Sequence, residues 1–233
     1  MATLFSAPNA ESAWRQVCTH LLANDGECYD AMISIQDPTI VLDNWLVRFN
    51  PRSIKQDADL IRDVANTIFP LKTQLNTPSR SAFYVRYKKA YDRRKHRHHG
   101  VWGTYFHRLI SFGASGLNQL ERAIVSMRDW EHNHKAVVVL HTSSSETDGV
   151  RTRGGPCLQY VQFNCPDSHS INLLAVYRNH DYFNKALGNF VGLGRLLSFV
   201  ASETNRDSGR LTCVSAHAYF DVSRANMQAL LAR

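Results

Sequence analysis

A thiol, a guanidinium, a carboxylate, a carboxamide and an imidazole–phenol pair follow one another within about sixty residues of the second half of this chain. They are Cys157, Arg178, Asp181, Asn189, and His217 with Tyr219, accompanied by Gln162 and Asn179. A cysteine attacks as its thiolate, and a nearby arginine favours that anion. The planar fork of arginine matches phosphate oxygens. An amide offers a donor and an acceptor to the edge of a base, while imidazole and phenol can hold a sugar hydroxyl. Together these groups are suited to holding a nucleotide and attacking its base. Each also has a plainer use. Cysteine is a common small core residue, Arg178 and Asp181 could form a local ion pair, and Asn189 could cap a helix. His217 and Tyr219 alternate on one strand face and could simply pack there.

The elements that must position these groups follow from periodicity. Trp14, Val17, Cys18, Leu21 and Leu22 form the apolar stripe of a helix over 11–23, ended by Asn24-Asp25-Gly26. Residues 33–49 read as strands, richest in branched and aromatic residues at 39–42 and 45–49. Further helices are expected over 57–69, where Pro70 stops the run, and over 117–132, 189–204 and 223–232. Strands are expected at 135–141, 158–164, 171–178 and 211–217, with a polar loop at 143–155 ahead of the cysteine. No internal repeat or linker interrupts the chain. The expectation is a single α+β domain over 1–233, with helices packed on a mainly β framework.

Composition narrows the setting. A chain of 233 residues with 44% hydrophobic and 20% charged residues has room for one substantial core. No apolar run reaches membrane-spanning length, and the first residues lack a secretory signal. Five widely spaced cysteines argue against a disulfide framework or a zinc ribbon, which points to a reducing cytoplasm. The net charge of +7 suits an anionic partner. Much of it sits in Lys88–His99, with Tyr87 and Tyr91 beside or within it. That segment reads either as a patch for nucleic acid or an acidic protein, or as a solvated surface loop. Its three histidines lack the partners and spacing of a metal site.

Taken in order, Pro156-Cys157-x4-Gln162-Phe163, Tyr177-Arg178-x2-Asp181, Gly188-Asn189 and His217-x-Tyr219 resemble the thymidylate synthase family, which includes pyrimidine nucleotide hydroxymethylases. The clear match covers 154–221, and a looser one reaches back through Gly100-Val101-Trp102-Gly103 and the helix from Leu117. The resemblance implies that Cys157 adds to C6 of a pyrimidine nucleotide, with Arg178 on the phosphate, Asn189 on a uracil edge, and His217 and Tyr219 on the sugar hydroxyl. It places Gln162 in support of the cysteine, Asp181 on the base or folate side with a catalytic role, and Trp102 and Lys185 on the side of 5,10-methylenetetrahydrofolate. It also implies a homodimer that shares its active site through sheet-to-sheet contact. Several positions depart from the family pattern. His134-Lys135 stands in place of two arginines reaching from the partner subunit, and Asn179 replaces a serine that assists the phosphate. Asp63 is the counterpart of a catalytic glutamate, and Lys185 occupies a glycine position. No arginine loop stands between Gly26 and Pro38, and the tail that closes over folate in the family is not found after Tyr219. Two readings follow: a C5 methyl- or hydroxymethyltransferase, or a catalytically lapsed nucleotide sensor or scaffold. A nucleic-acid module at Lys88–His99 is a third.

Overall fold

The computed structural model describes residues 2–41, 57–95, 102–128, 136–149 and 154–233. Its centre is a mixed sheet of seven strands. These are β1 (Thr3–Ala7), β2 (Glu27–Ile35), β3 (Ala136–His141), β4 (Leu158–Cys165), β5 (Ser170–Tyr177), the two-residue β6 (His180–Asp181) and β7 (Asp207–Tyr219). The order across the sheet is β1-β2-β7-β5-β4-β3, with β6 also pairing with β7. β7 is the hub: it runs antiparallel to β2 and parallel to β5, then to β6 at its far end.

The period-two pattern gives the sheet two unlike faces. Leu140, Val161, Ala175, Cys213 and Ile33 line up across it and are all buried. The helices lie on that side. They are α1 (Ala10–Ala23), α2 (Asp57–Ile68), α3 (Leu71–Leu75), α4 (Arg80–Lys95), α5 (Tyr105–Ile110), α6 (Gln119–Arg128), α7 (Ala186–Glu203) and α8 (Arg224–Leu231). α7 is buried on nearly every side, packing on β5, β7, α1 and α2. Two glycines let α2 approach it. A Cβ on Gly188 would stand 2.7 Å from Val64 Cβ and 2.9 Å from the Ile61 carbonyl oxygen, and one on Gly192 would stand 2.8 Å from the Ala65 carbonyl oxygen.

The architecture is compatible with the α+β expectation, and two local readings are corrected. The strand expected from residue 33 is β2, which starts at Glu27 and ends at Ile35. Thr39 lies beyond it, where the Asp37 carboxylate accepts its N–H at 3.1 Å and its hydroxyl at 2.6 Å. Such an Asx-type turn captures the backbone that a strand would need; residues 45–49 lie outside the described residues. The second correction concerns the basic segment, which is no loop up to Lys95. α4 carries Phe83 and Tyr87 at four-residue spacing onto the core, with Tyr91 one turn further on against His107, and the abundance of charge hid that stripe.

Candidate active site

Cys157 stands just ahead of β4, and the backbone around it is held from several directions. The Tyr105 hydroxyl on α5 accepts the N–H of Cys157 at 3.1 Å and that of Leu158 at 3.3 Å. The Arg178 N–H donates to the Cys157 carbonyl, and its Nε donates to the Pro156 carbonyl at 3.1 Å. The Gln159 amide donates to those same two carbonyls. Gln159 thus does what was expected of Gln162. Gln162 faces the outer side of the sheet between Val139 and Leu174, where it donates to Asn164 at 2.8 Å.

All five cysteines are free thiols, and Cys157 alone is not fully buried. Its charged neighbours are Arg178, Asp181 and Lys185. Burial dominates and pushes the thiol above its ordinary range, Arg178 and Lys185 pull it down, and Asp181 pushes it up. The arginine therefore acts in the expected direction, but the net shift is opposite to the depressed thiol that the sequence suggested. Asp181 pairs with Tyr219 in the β6–β7 ladder. The Tyr219 phenol is raised by burial first, then by Asp181, Cys157 and Asp221, so it lies within electrostatic reach of all three. Asp181 shapes its own turn, accepting N–H bonds from Phe183 and Asn184 and one from the Asn184 amide. Lys185 is exposed at the start of α7, its N–H bonded to the Asp181 carbonyl.

Asn189 is not a helix cap. It lies one turn inside α7, is 5% exposed, and its Nδ2 is 3.1 Å from Nε2 of His180. His180 was no candidate from sequence, yet it anchors this wall. It is 1% exposed, stacks on Tyr177 with centroids 4.1 Å apart, and its Nδ1 is 2.9 Å from the Ser215 hydroxyl. Burial lowers its pKa to about 3, so the ring is neutral. With its Nε2 accepting from Asn189, Nδ1 carries the proton and donates to Ser215. The second Nδ2 hydrogen of Asn189 and its oxygen are left as a donor–acceptor pair.

A second histidine sits on the more open side. His217 lies between Tyr29 (centroids 4.8 Å) and Tyr219 (5.1 Å), at 16° to each. Its Nδ1 is 3.0 Å from Asn179 Oδ1, and its Nε2 is 3.0 Å from Glu27 Oε2. Neither Glu27 nor Tyr29 was singled out from sequence. The usable signal was register: they pair with Tyr219 and His217 once β2 is started at residue 27.

Other candidates lie around or apart from this cluster. The Trp102 ring lies 4.8 Å from the Tyr105 ring, with the Arg108 guanidinium 5.8 Å from its centroid. Asp63 is exposed on α2 and lines a groove of about 760 Å³ with Lys72, Arg86 and Tyr91; it is not among the charged neighbours of Cys157. His134 and Lys135 lie outside the described residues. On α4 the two tyrosines are engaged inward: Tyr87 packs on Phe106 and is 2.7 Å from the Thr104 hydroxyl, and Tyr91 stacks on His107. Both also line the groove beside Asp63, so each combines packing with an open edge.

The chain has distant likenesses among known proteins. No family model matches it. Three archaeal proteins, each named "Putative thymidylate synthase", do: those of Methanosarcina mazei and Methanosarcina acetivorans are 27% identical over 118 residues, and that of Methanococcoides burtonii is 28% identical over 120. Each alignment covers 50% of this chain and 52% of the relative, so the chain spans about half the length of the curated relatives it matches. The relationship these matches support is distant and thymidylate synthase-like.

Proposed function

We propose that this protein is a pyrimidine nucleotide C5 transferase in which Cys157 adds to C6 of a uridine-type base. The observation that carries the reading is convergence: residues spread over more than sixty positions of sequence gather around one half-buried thiol, with Arg178, Asp181, Lys185 and Tyr219 beside it. A pyrimidine C5 is a weak nucleophile until a thiolate adds at C6 and moves electron density toward C5 and O4. Arg178 and Lys185 favour the thiolate and attract phosphate. Asn189, locked by neutral His180, offers its remaining N–H to O4 and its oxygen to N3–H. His217 and Tyr219 hold the sugar. The residues fit a flat cofactor ring at Trp102, a half-buried indole next to the tyrosine that supports Cys157. Trp102, Asp181 and Lys185 would hold 5,10-methylenetetrahydrofolate, which when bound supplies the one-carbon unit for C5 as methyl or hydroxymethyl.

A homodimer joined through the outer sheet face is part of this proposal. Leu4, Met32, Val214, Val176, Tyr160 and His141 form one row across that face, and Leu4 is 72% exposed. Such an uncovered apolar row suits burial against a second copy. Among the described residues, no helix is long and apolar enough to cross a membrane.

Mass spectrometry of the intact protein after incubation with 5-fluoro-deoxyuridylate, with and without methylenetetrahydrofolate, tests the reading. An adduct on Cys157 that is absent in Cys157→Ala supports it, and a ternary adduct adds folate use. One observation favours a second reading, a lapsed nucleotide sensor: burial leaves the Cys157 thiol above its ordinary range. That reading predicts nucleotide binding by calorimetry, no adduct, and no debromination of a 5-bromo analogue in the presence of added thiol as reductant.

A further inference from the structure

Resting on that nucleotide site, we infer that its sugar end is built for a 2′,3′-diol, with Glu27 as the residue that selects ribose over deoxyribose. The argument starts from register. Glu27 is paired with Tyr219, and Tyr29 with His217, so the outer end of β2 stands directly beside the two groups that the proposed function assigns to the sugar. Glu27 Oε2 lies 3.0 Å from His217 Nε2, and among the described residues His217 is its hydrogen-bond partner. His217 is fixed from its other nitrogen by Asn179 and on both faces by Tyr29 and Tyr219. A carboxylate is therefore set at a defined place beside the Tyr219 phenol, with Oε2 held by His217 and Oε1 left for a hydroxyl.

A carboxylate accepts only, with two oxygens, and a vicinal diol donates two O–H groups at matching spacing; acidic residues bind ribose this way in dinucleotide sites. Deoxyribose supplies one O–H where ribose supplies two. Hydrogen bonds to an ionised acceptor are the stronger class, and a site that binds a hydroxyl rejects an analogue lacking it because its polar groups go unpaired. The Glu27 side chain is 52% exposed, which keeps the discrimination modest, at about ten-fold. Phosphate is a poor occupant of this end, since a carboxylate repels it.

The test compares the 5-fluoro derivatives of uridylate and deoxyuridylate on wild type and Glu27→Gln, reading adduct formation at Cys157, with calorimetry of uridylate and deoxyuridylate in parallel. The expected result is a preference of about ten-fold for the ribonucleotide in wild type that falls to within about two-fold in Glu27→Gln. The same loss of preference seen in binding alone, with no adduct, supports the inference while removing catalysis. A wild-type preference for deoxyribose, or a ribose preference that Glu27→Gln leaves intact, overturns the inference and leaves the nucleotide site standing. Failure of both nucleotides to bind overturns the site and the inference together.

Discussion

The two histidines of the candidate site are built on opposite terms. His180 is sealed: 1% exposed, stacked on Tyr177, and bonded to Ser215 and Asn189. His217 is more open, with 26% of its side chain exposed, two tyrosine faces and an acceptor oxygen near each ring nitrogen. Desolvation decides the first case, because a buried imidazolium has no water to stabilise it. Stacked tyrosines and an oxygen at each nitrogen position the second ring. The sealed ring acts as scaffolding that orients Asn189, and the open ring carries half-exposed partners that a ligand can displace. Substitutions should therefore affect stability on the His180 side and ligand preference on the His217 side.

The largest stability effect should come from the packing behind Asn189. A Cβ on Gly188 would meet both Val64 Cβ and the Ile61 carbonyl, neither of which is a flexible end. Gly188→Ala is expected to cost on the order of 3 kcal/mol in denaturant unfolding, and a value near zero would show that α2 and α7 are not locked together there.

Acid comes next. The folded pKa of His180 is about 3, and that of an unfolded histidine is about 6.5. Above pH 6.5 both states hold the ring neutral, so stability is flat. As pH falls below that, the unfolded chain takes up a proton that the fold refuses, so stability drops until the folded pKa is reached. By pH 5 the loss should be about 2 kcal/mol. His180→Gln should lack this part of the slope, and an unchanged slope would mean that His180 is protonated in the fold.

The two sides also differ in how far the sequence revealed them. Most long elements were legible because their apolar periodicity is strong: the helices at α1, α2 and α7 and the strands at β4, β5 and β7 fall within a few residues of expectation. The thiol, guanidinium and phenol, which the structure brings together, were legible as a motif. His180 was invisible because its role depends on burial, and burial by α7 is a tertiary fact. Glu27 and Tyr29 were missed because branched residues at 39–42 drew the strand too late, while an Asx-type turn at Asp37 ends it. The stripe in α4 was masked by the lysines and arginines that share its turns. Gln162 had motif spacing in its favour and Asp63 only its place on the second helix; pleat alternation sends the first to the outer face, and α2 sets the second in a separate groove.

A smaller effect tests the join between the two sides. Tyr105→Phe removes the oxygen that accepts the N–H groups of Cys157 and Leu158. The Cys157 end is partly open to water, so about 1 kcal/mol is expected. Adduct formation should slow more than stability suggests, because the thiol loses its fixed backbone. Equal adduct rates in Tyr105→Phe and wild type would show that this anchor serves the fold alone.

The smallest stability effect belongs to the open side, and its smallness is the point. Glu27 and His217 are partly exposed, so water screens their interaction and pairs of this kind contribute little. Glu27→Gln should unfold within about 0.5 kcal/mol of wild type. The same substitution replaces a pure acceptor with a mixed donor–acceptor at the sugar end. A change that alters sugar preference while leaving unfolding untouched separates recognition from folding at one residue. If Glu27→Gln instead lost as much stability as Gly188→Ala, the open rim would be part of the scaffold and the contrast between the two histidines would fail.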